Sequence, residues 1–436
     1  MSPQPETSPS KADEDAMIQK APRREPPSDD DANRRSRAEL DHLVHRVEDF
    51  IRDVVIPAEP APGQYLELPV RDELRAAAKA ARLFAPHVSS KWGGIGLPLS
   101  QWPEVFEAAG YSPIGPVVLN CMAPDEGNMH MLEQIATPEQ KRQFLEPLAR
   151  GHASSCFGMT EPHPGAGSDP SQLSTTAERS SSGWVINGEK RFSSGANLAE
   201  FMIAMARTGE VGEATMFLVP MDTPGMTITR QINTVDRVID GGHPHVEFNN
   251  VSVPDSAVLG EPHRGMEYAQ VRLGPARLTH CMRWLGLARR SQDIALDRAH
   301  DRSLFGSRLD EQGLAQELIA QSEIDIEASR SLIQRTATLL EEDNRAGTRL
   351  SSVAKVFCSE AIYRVIDRSI QLCGGDGVSD DLPLAQYLNE VRPFRIYDGS
   401  TETHKWAIAR RASRRRARER QRRHEQPDGQ ESGSTK

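Results

Sequence analysis

Phe201-Met202-Ile203-Ala204-Met205-Ala206 is an unbroken apolar run. It suits a strand buried on both faces and is far too short to span a bilayer. Trp184-Val185-Ile186, Met216–Val219, Met226–Thr229 and His245–Val251 are similar strand-like runs, split from one another by Gly, Pro and Asn. Together they mark a small β-domain over residues 157–262. Helical periodicity lies on either side. Upstream, Ser36 and Glu39 have capping-box spacing, and Leu40, Leu43, Val44, Val47, Phe50, Ile51 and Val54 follow at helical intervals up to Pro57. Further helices fit 72–83, the stretch from a Ser100 cap through 109, and one that opens at Thr137-Pro138 and closes at Gly151. Downstream, helical segments fit 264–301, 314–343, 350–373 and 383–390, with Val353, Ala354, Phe357, Ala361, Val365 and Ile366 as a buried stripe. The order is a helical domain over 36–156, the β-domain, and a helical bundle over 263–412. No internal repeat is visible.

The two ends differ from this body. Residues 1–35 are rich in Pro, Ser, Asp, Glu and Lys and hold too little apolar surface to offset chain entropy, so a disordered tail is expected. Residues 413–436 read as a basic, polar tail. Within Arg410–Arg423 there are nine arginines against one glutamate, although the whole chain carries a formal charge of -10. That run is either the solvated end of a helix or a contact for an anionic surface. The five cysteines (121, 156, 281, 358 and 373) have neither paired nor metal-like spacing, which suggests buried free thiols in a reducing, cytoplasmic setting. No metal site is expected. The N-terminus has no apolar signal core, and its acidic residues argue against a transit peptide. The glycines of Lys91-Trp92-Gly93-Gly94-Ile95-Gly96 imitate a dinucleotide fingerprint, but no strand precedes them and no long helix follows directly, so a Rossmann site is rejected.

Arg395-Ile396-Tyr397-Asp398-Gly399-Ser400-Thr401-Glu402 places one carboxylate between an aromatic ring and a glycine. It can be a solvated Asp-Gly turn, or a carboxylate in a dry pocket, where desolvation makes a stronger base.

Four further blocks bear on the choice. They are Phe157-Gly158-Met159-Thr160-Glu161-Pro162 running to Gly165-Ala166-Gly167-Ser168-Asp169, Asn187-Gly188-Glu189-Lys190-Arg191-Phe192-Ser193-Ser194-Gly195, Arg302-Ser303-Leu304-Phe305-Gly306, and Gln371-Leu372-Cys373-Gly374-Gly375-Asp376-Gly377. With the Asp398 block, in this order and spacing, they resemble the flavin-dependent acyl-CoA dehydrogenase family over roughly residues 40–412. Leu119–Met129 and the use of Asp at 398 resemble the subfamily that in animals includes long fusions with a kinase-like domain. This chain has no length left over for that extra domain. The resemblance implies an α+β fold: an N-terminal α-helical domain, a middle β-barrel or sandwich, and a C-terminal four-helix bundle.

It also implies chemistry: FAD-dependent α,β-dehydrogenation of an acyl-CoA to a trans-2-enoyl-CoA, as in fatty acid β-oxidation. Asp398 would be the base, and its backbone N–H would help polarise the thioester carbonyl, with Tyr397 and Gly399 beside the substrate. Asp reaches about 1.5 Å less far than the Glu of most members, by one C–C bond. Many branched-chain relatives carry the base on a helix that aligns near Ala276-Arg277, where alanine cannot serve. Phe157, Met159, Thr160, Phe192 and Ser194 would line the flavin ring, with Phe192 in place of the usual Trp and the Thr160 and Ser194 positions donating hydrogen bonds to it. Ser168 would sit near pantetheine and flavin, although His163-Pro164 lengthens the spacing from Thr160 by two residues. Arg302, Phe305, Gln312, Gln371, Gly374 and Gly375 would face the diphosphate and adenine side of a neighbouring subunit's FAD. Ser400 and Glu402 would bond the adenosine part of the chain's own FAD, Glu402 replacing a Gln and Leu304 a hydroxyl residue. Arg277 would lie near the CoA tail, with Gly274 in place of its acidic partner. The implied partners are an electron-transfer flavoprotein as acceptor and a second copy of the chain, in a homodimer or homotetramer. Two other readings stay open: a flavin oxidase of the same fold, and a flavoprotein that binds nucleic acid through the arginine-rich segment. The acidic body argues against the last.

Overall fold

The computed structural model describes residues 34–425. Of the N-terminal tail expected over residues 1–35, residues 1–33 lie outside the described residues, as do residues 426–436 of the tail expected over 413–436; Arg34 pairs with Glu341, and the Arg35 N–H donates to Gln101 at 3.2 Å. Helix α1 (Arg37–Phe50) begins with the expected capping box: Ser36 accepts from the Glu39 N–H, and Glu39 accepts from the Ser36 N–H. Its Leu40, Leu43, Val47 and Phe50 are buried. Helix α2 (Leu68–Ala80) starts four residues ahead of the expected 72, with Pro in its first turn. Helix α3 (Trp102–Gly110) follows a 3-10 turn at Leu99–Gln101. Ser100 does not cap it: its hydroxyl has no partner, and its N–H donates instead to Glu341 at 2.8 Å. Helix α4 (Asp125–Ile135) was not foreseen. The next helical stretch, Pro138 to Ala149, opens on a capping box between Thr137 and Gln140.

The middle of the chain is one eight-stranded mixed sheet. Its strands are β1 (Ser155–Gly158), β2 (Thr176–Ser180), β3 (Gly183–Lys190), β4 (Phe201–Arg207), β5 (Ala214–Pro220), β6 (Met226–Ile232), β7 (His243–Val253) and β8 (Val258–Leu259). The order is β6-β7-β3-β2-β4-β5-β8, with β1 parallel to β4. The opening run is β4. Phe201, Ile203 and Met205 pack into the helical core, while Met202, Ala204 and Ala206 join Trp184, Phe217, Val246 and Phe248 in the core of the β-domain. Burial on both faces is why this strand lacks alternation.

After β8 come α5 (Gly265–Asp301), α6 (Gly313–Glu342), α7 (Asn344–Cys373), α8 (Leu384–Val391) and α9 (Thr401–Glu425). Helix α5 packs on α6 and α7 and reaches across to α3 and α4; α9 packs on α7. The α3–α5 contact is backbone to backbone. A Cβ on Gly286 would stand 2.1 Å from the Glu107 carbonyl oxygen, and one on Gly110 2.0 Å from that of Arg283, so neither site accepts a side chain. The first part of the basic segment expected as a tail from 413 is helical and continues α9 to Glu425. Its Arg, Ala, Glu and Gln residues are good helix formers, and Arg415 pairs with Glu419 one turn on. All five cysteines are buried and free. Among the described residues, no helix is long and apolar enough to cross a membrane.

Candidate active site

Asp398 lies in the turn between α8 and α9, with φ at 54° and Gly399 following at 92°. The left-handed region disfavours a residue with a Cβ, and three side chains fix the turn through its carbonyls. Arg277 Nε donates to the Asp398 oxygen at 3.1 Å, and His404 Nε2 does so at 3.0 Å. Lys355 Nζ donates to the Gly399 oxygen at 2.6 Å. The donors come from α5, α9 and α7, so the bundle itself holds the Asp398 turn. Arg277 is thus placed at the carboxylate's own backbone.

The carboxylate is largely buried, and Oδ2 lies 3.0 Å from His280 Nε2. Arg283 donates to His280 Nδ1. A guanidinium has only donors, so Nδ1 is the bare nitrogen and Nε2 carries the proton given to Asp398. Arg283 is fully buried and lies 3.9 Å from Glu126, which also accepts from Thr279. The Tyr397 ring packs on His280 with centroids 4.5 Å apart, and its hydroxyl accepts from Trp284 Nε1 at 2.6 Å. Arg272 donates to Asn128 at 2.8 Å and lies 4.4 Å above the Phe157 ring, which joins the acid's surroundings to β1. Sequence reasoning missed Glu126, Asn128, Arg272, His280 and Arg283. The available signal was the cluster of polar residues in Arg277-Leu278-Thr279-His280-Cys281-Met282-Arg283, within an otherwise apolar part of a long helix.

The expected strong, desolvated base is corrected by this setting. Burial opposes the charge on Asp398, but His280, Arg272 and Arg277 outweigh it and hold the carboxyl well below the usual range. His280 is pushed down by burial and by Arg283, which keeps the imidazole neutral. A carboxyl whose folded pKa is depressed contributes stability that is complete above its unfolded value and is lost as pH falls through the folded one. The melting temperature of the wild type is therefore expected to fall more steeply than that of Asp398→Asn between about pH 5 and pH 2. Parallel curves would mean that Arg272, Arg277 and the His280 hydrogen bond do not stabilise the charge.

The other expected site residues fall into three groups. Phe157 and Met159 are half-buried at β1, Thr160 follows them exposed, and Phe192 and Ser194 lie on the turn after β3. Arg191 N–H donates to the Thr160 carbonyl at 2.8 Å, which ties those two segments together. Ser168 is exposed on the loop beyond. The second group sits where α5 and α7 end. Arg302 and Phe305 belong to a small hairpin that Gln312 braces through Leu304 and Ser307. Arg298 joins that end to Asp376, in the turn containing Gly374 and Gly375, next to the exposed Gln371. In the third group, Ser400 accepts from the Thr403 N–H and so caps α9, while Glu402 is exposed in its first turn.

The second group fits a diphosphate and an aromatic base. Nothing stands within 4 Å of a Cβ built on Gly374 or Gly375, so a ligand can approach their backbone. Arg302 is exposed one turn beyond Arg298, and Phe305 is 95% exposed. A separate concavity of about 880 Å³, lined by Arg179, Trp184, Arg207 and His263, contains none of the expected site residues.

The N-terminal, middle and C-terminal domain families of acyl-CoA dehydrogenases match residues 37–152, 156–251 and 263–413. Acyl-CoA dehydrogenase family member 11 of Gallus gallus is 38% identical over 395 residues, covering 84% of this chain and 50% of that protein. FadE2 of Mycobacterium tuberculosis is 38% identical over 382 residues, covering 84% of this chain and 93% of its own length. The chain thus spans about half the length of the first of these relatives. Among solved structures, butyryl-CoA dehydrogenase of Megasphaera elsdenii superposes with a TM-score of 0.77 at 25% identity, covering 86% of this chain and 98% of that one.

Proposed function

This chain belongs to the acyl-CoA dehydrogenase family, and from that premise we propose that it oxidises an acyl-CoA thioester to the trans-2-enoyl-CoA with Asp398 as the α-proton acceptor. The observation that carries the reading is the clamped Asp398 turn: one carboxylate, kept ionised, with its backbone fixed by Arg277 and His404 and its Oδ2 by His280. Fixing the backbone fixes the direction of the N–H that would polarise the thioester carbonyl, and without that polarisation a carboxylate is too weak to take a proton from carbon. Tyr397 and Gly399 flank the reacting segment, Ser168 serves the pantetheine, and Arg277 serves the CoA tail.

FAD would be held by Phe157, Met159, Thr160, Ser168, Phe192 and Ser194 at the ring and by Ser400 and Glu402 at the adenosine. Arg302, Phe305, Gln312, Gln371, Gly374 and Gly375 would hold a neighbouring subunit's FAD. When bound, it supplies the hydride acceptor. Because the last group serves another chain, the active form is a homodimer or homotetramer. The exposed Phe305, Leu314 and Val378 at that end support the reading, since such side chains together are costly in water. Electrons would leave to an electron-transfer flavoprotein, and the five buried thiols suit a cytoplasmic setting.

The test is anaerobic. FAD-loaded protein is mixed with acyl-CoAs that differ in length, branching and hydroxylation, and the main visible flavin band is followed. Bleaching by one class is the expected result and defines the substrate. If no thioester bleaches the band while FAD stays bound, the reading is wrong, and a flavin oxidase or a nucleic-acid-binding flavoprotein takes its place.

A further inference from the structure

Ser194 Oγ lies 2.8 Å from His243 Nδ1, and His243 Nε2 lies 2.9 Å from Asp236 Oδ2. This is a serine–histidine–aspartate chain far from Asp398 in sequence. Backbone bonds fix its spacing. The Gly195 N–H donates to the Gly242 carbonyl at 2.8 Å, and the Ser193 N–H donates to that of Pro244 at 3.0 Å. A Cβ on Gly241 would stand 2.6 Å from the Gly195 oxygen, so the two loops meet without room for a side chain. The same bonds argue against a nucleophilic serine. The Ser193, Ser194, Gly195 and Ala196 N–H groups all donate within the fold, which leaves no pair of donors for an oxyanion.

The sense of the hydrogen bonds is decided at Asp236. Its side chain is nearly buried, and burial alone would raise its carboxyl, but His243 and Thr234 hold it below the usual range. A carboxylate only accepts, so Nε2 carries a proton, and in the neutral imidazole Nδ1 is the bare nitrogen. Ser194 must then donate its hydroxyl proton to His243. Its remaining lone pairs point away from the histidine, and Ser194 is partly exposed.

We propose that Asp236 and His243 are positioning residues that turn Ser194 into a hydrogen-bond acceptor toward the cofactor, and so favour the reduced over the oxidised form. The proposal rests on the reading that puts Ser194 against the flavin ring. Reduced flavin carries a proton on the central-ring nitrogen that is bare in oxidised flavin. An acceptor matches the first and opposes the second.

The test measures the midpoint potential of the FAD-loaded protein against a reference dye, a readout independent of turnover. His243→Leu frees the Ser194 hydroxyl to donate to oxidised flavin. The preference for the reduced form should fall at least tenfold, or about 30 mV for a two-electron couple. Ser194→Ala should also lower the potential, by less. In the Ser194→Ala background, His243→Leu should change nothing, because the chain then ends on a methyl group. A wild-type potential in His243→Leu, alongside a shifted Ser194→Ala, overturns the proposal and leaves the placement of Ser194 standing. An unshifted Ser194→Ala overturns both. Should His243→Leu not fold, Asp236→Asn keeps the volume and loosens the tautomer lock. It should lower the potential in the same sense, and an unchanged value again overturns the proposal.

Discussion

Asp398→Asn is expected to keep FAD and the fold and to reduce the flavin with acyl-CoA at least a hundredfold more slowly than the wild type. The amide is close to the carboxylate in size, and its oxygen can still accept from His280 Nε2. The Arg277 and His404 bonds go to the backbone carbonyl and are indifferent to the substitution. Only the capacity to accept a proton is lost. General bases contribute typically 10²–10⁴-fold, or about 3–5 kcal/mol of barrier, so the loss stands well clear of any change in binding. The single-turnover bleaching rate and the ratio of FAD to protein check the two halves of the prediction separately. A near wild-type rate with full FAD would place the base elsewhere and remove Asp398 from the mechanism. His280→Phe, which keeps a ring against Tyr397 and Phe394 but removes the donor, should raise the pKa of Asp398. The acidic limb of the reduction rate then moves to higher pH. A limb that stays in place would show that His280 only fills space.

The parts legible in the sequence were those written in local periodicity or in one peptide segment. The apolar runs gave β3 to β7, the Ser36–Glu39 pattern gave the start of α1, and Asp398-Gly399 gave the turn that carries the carboxylate. Helix α4 was hidden because Asp125, Glu126, Gly127 and Asn128 dilute its apolar stripe. Two of them face the site, where Glu126 meets Thr279 and Asn128 meets Arg272. Strand β2 was hidden because only Ala177 of Thr176–Ser180 is buried, so it has no apolar face to read. The environment of Asp398 could not be read at all. Its partner His280 is 118 residues away, and whether a buried carboxylate rises or falls in pKa depends on which cations the fold brings to it. The surroundings of Ser194 were hidden for the same reason: the chain through His243 to Asp236 lies outside the Phe192–Gly195 segment, and nothing in that segment shows it.

Lys190→Met is expected to destabilise the β-domain by about 3–5 kcal/mol, the cost of removing one partner of a buried ion pair. Lys190 and Glu161 are both fully buried and lie 2.6 Å apart. Glu161 also accepts from the N–H groups of Ser174 (2.6 Å), Ala166 (3.0 Å) and Thr175 (3.0 Å), and from the Ser174 hydroxyl (2.8 Å). Burial would raise this carboxyl, but Lys190 and the N–H donors bring it down to about 2, while burial brings Lys190 down to about 8. Methionine fills the space of the lysine stem and leaves the carboxylate with no counter-charge in a dry interior. Glu161 is the hub of the loop running from Thr160 past Ser168 to β2, so the loop should loosen and FAD affinity should fall together with stability. Urea unfolding and FAD titration measure the two effects. Combining Lys190→Met with Glu161→Gln removes both charges and keeps an acceptor for the loop N–H groups. The pair should therefore be less destabilised than Lys190→Met alone, a coupling that independent sites do not show. A Lys190→Met protein within about 1 kcal/mol of wild type would mean that water reaches Glu161, and that the N–H groups of the loop, rather than the lysine, hold its charge.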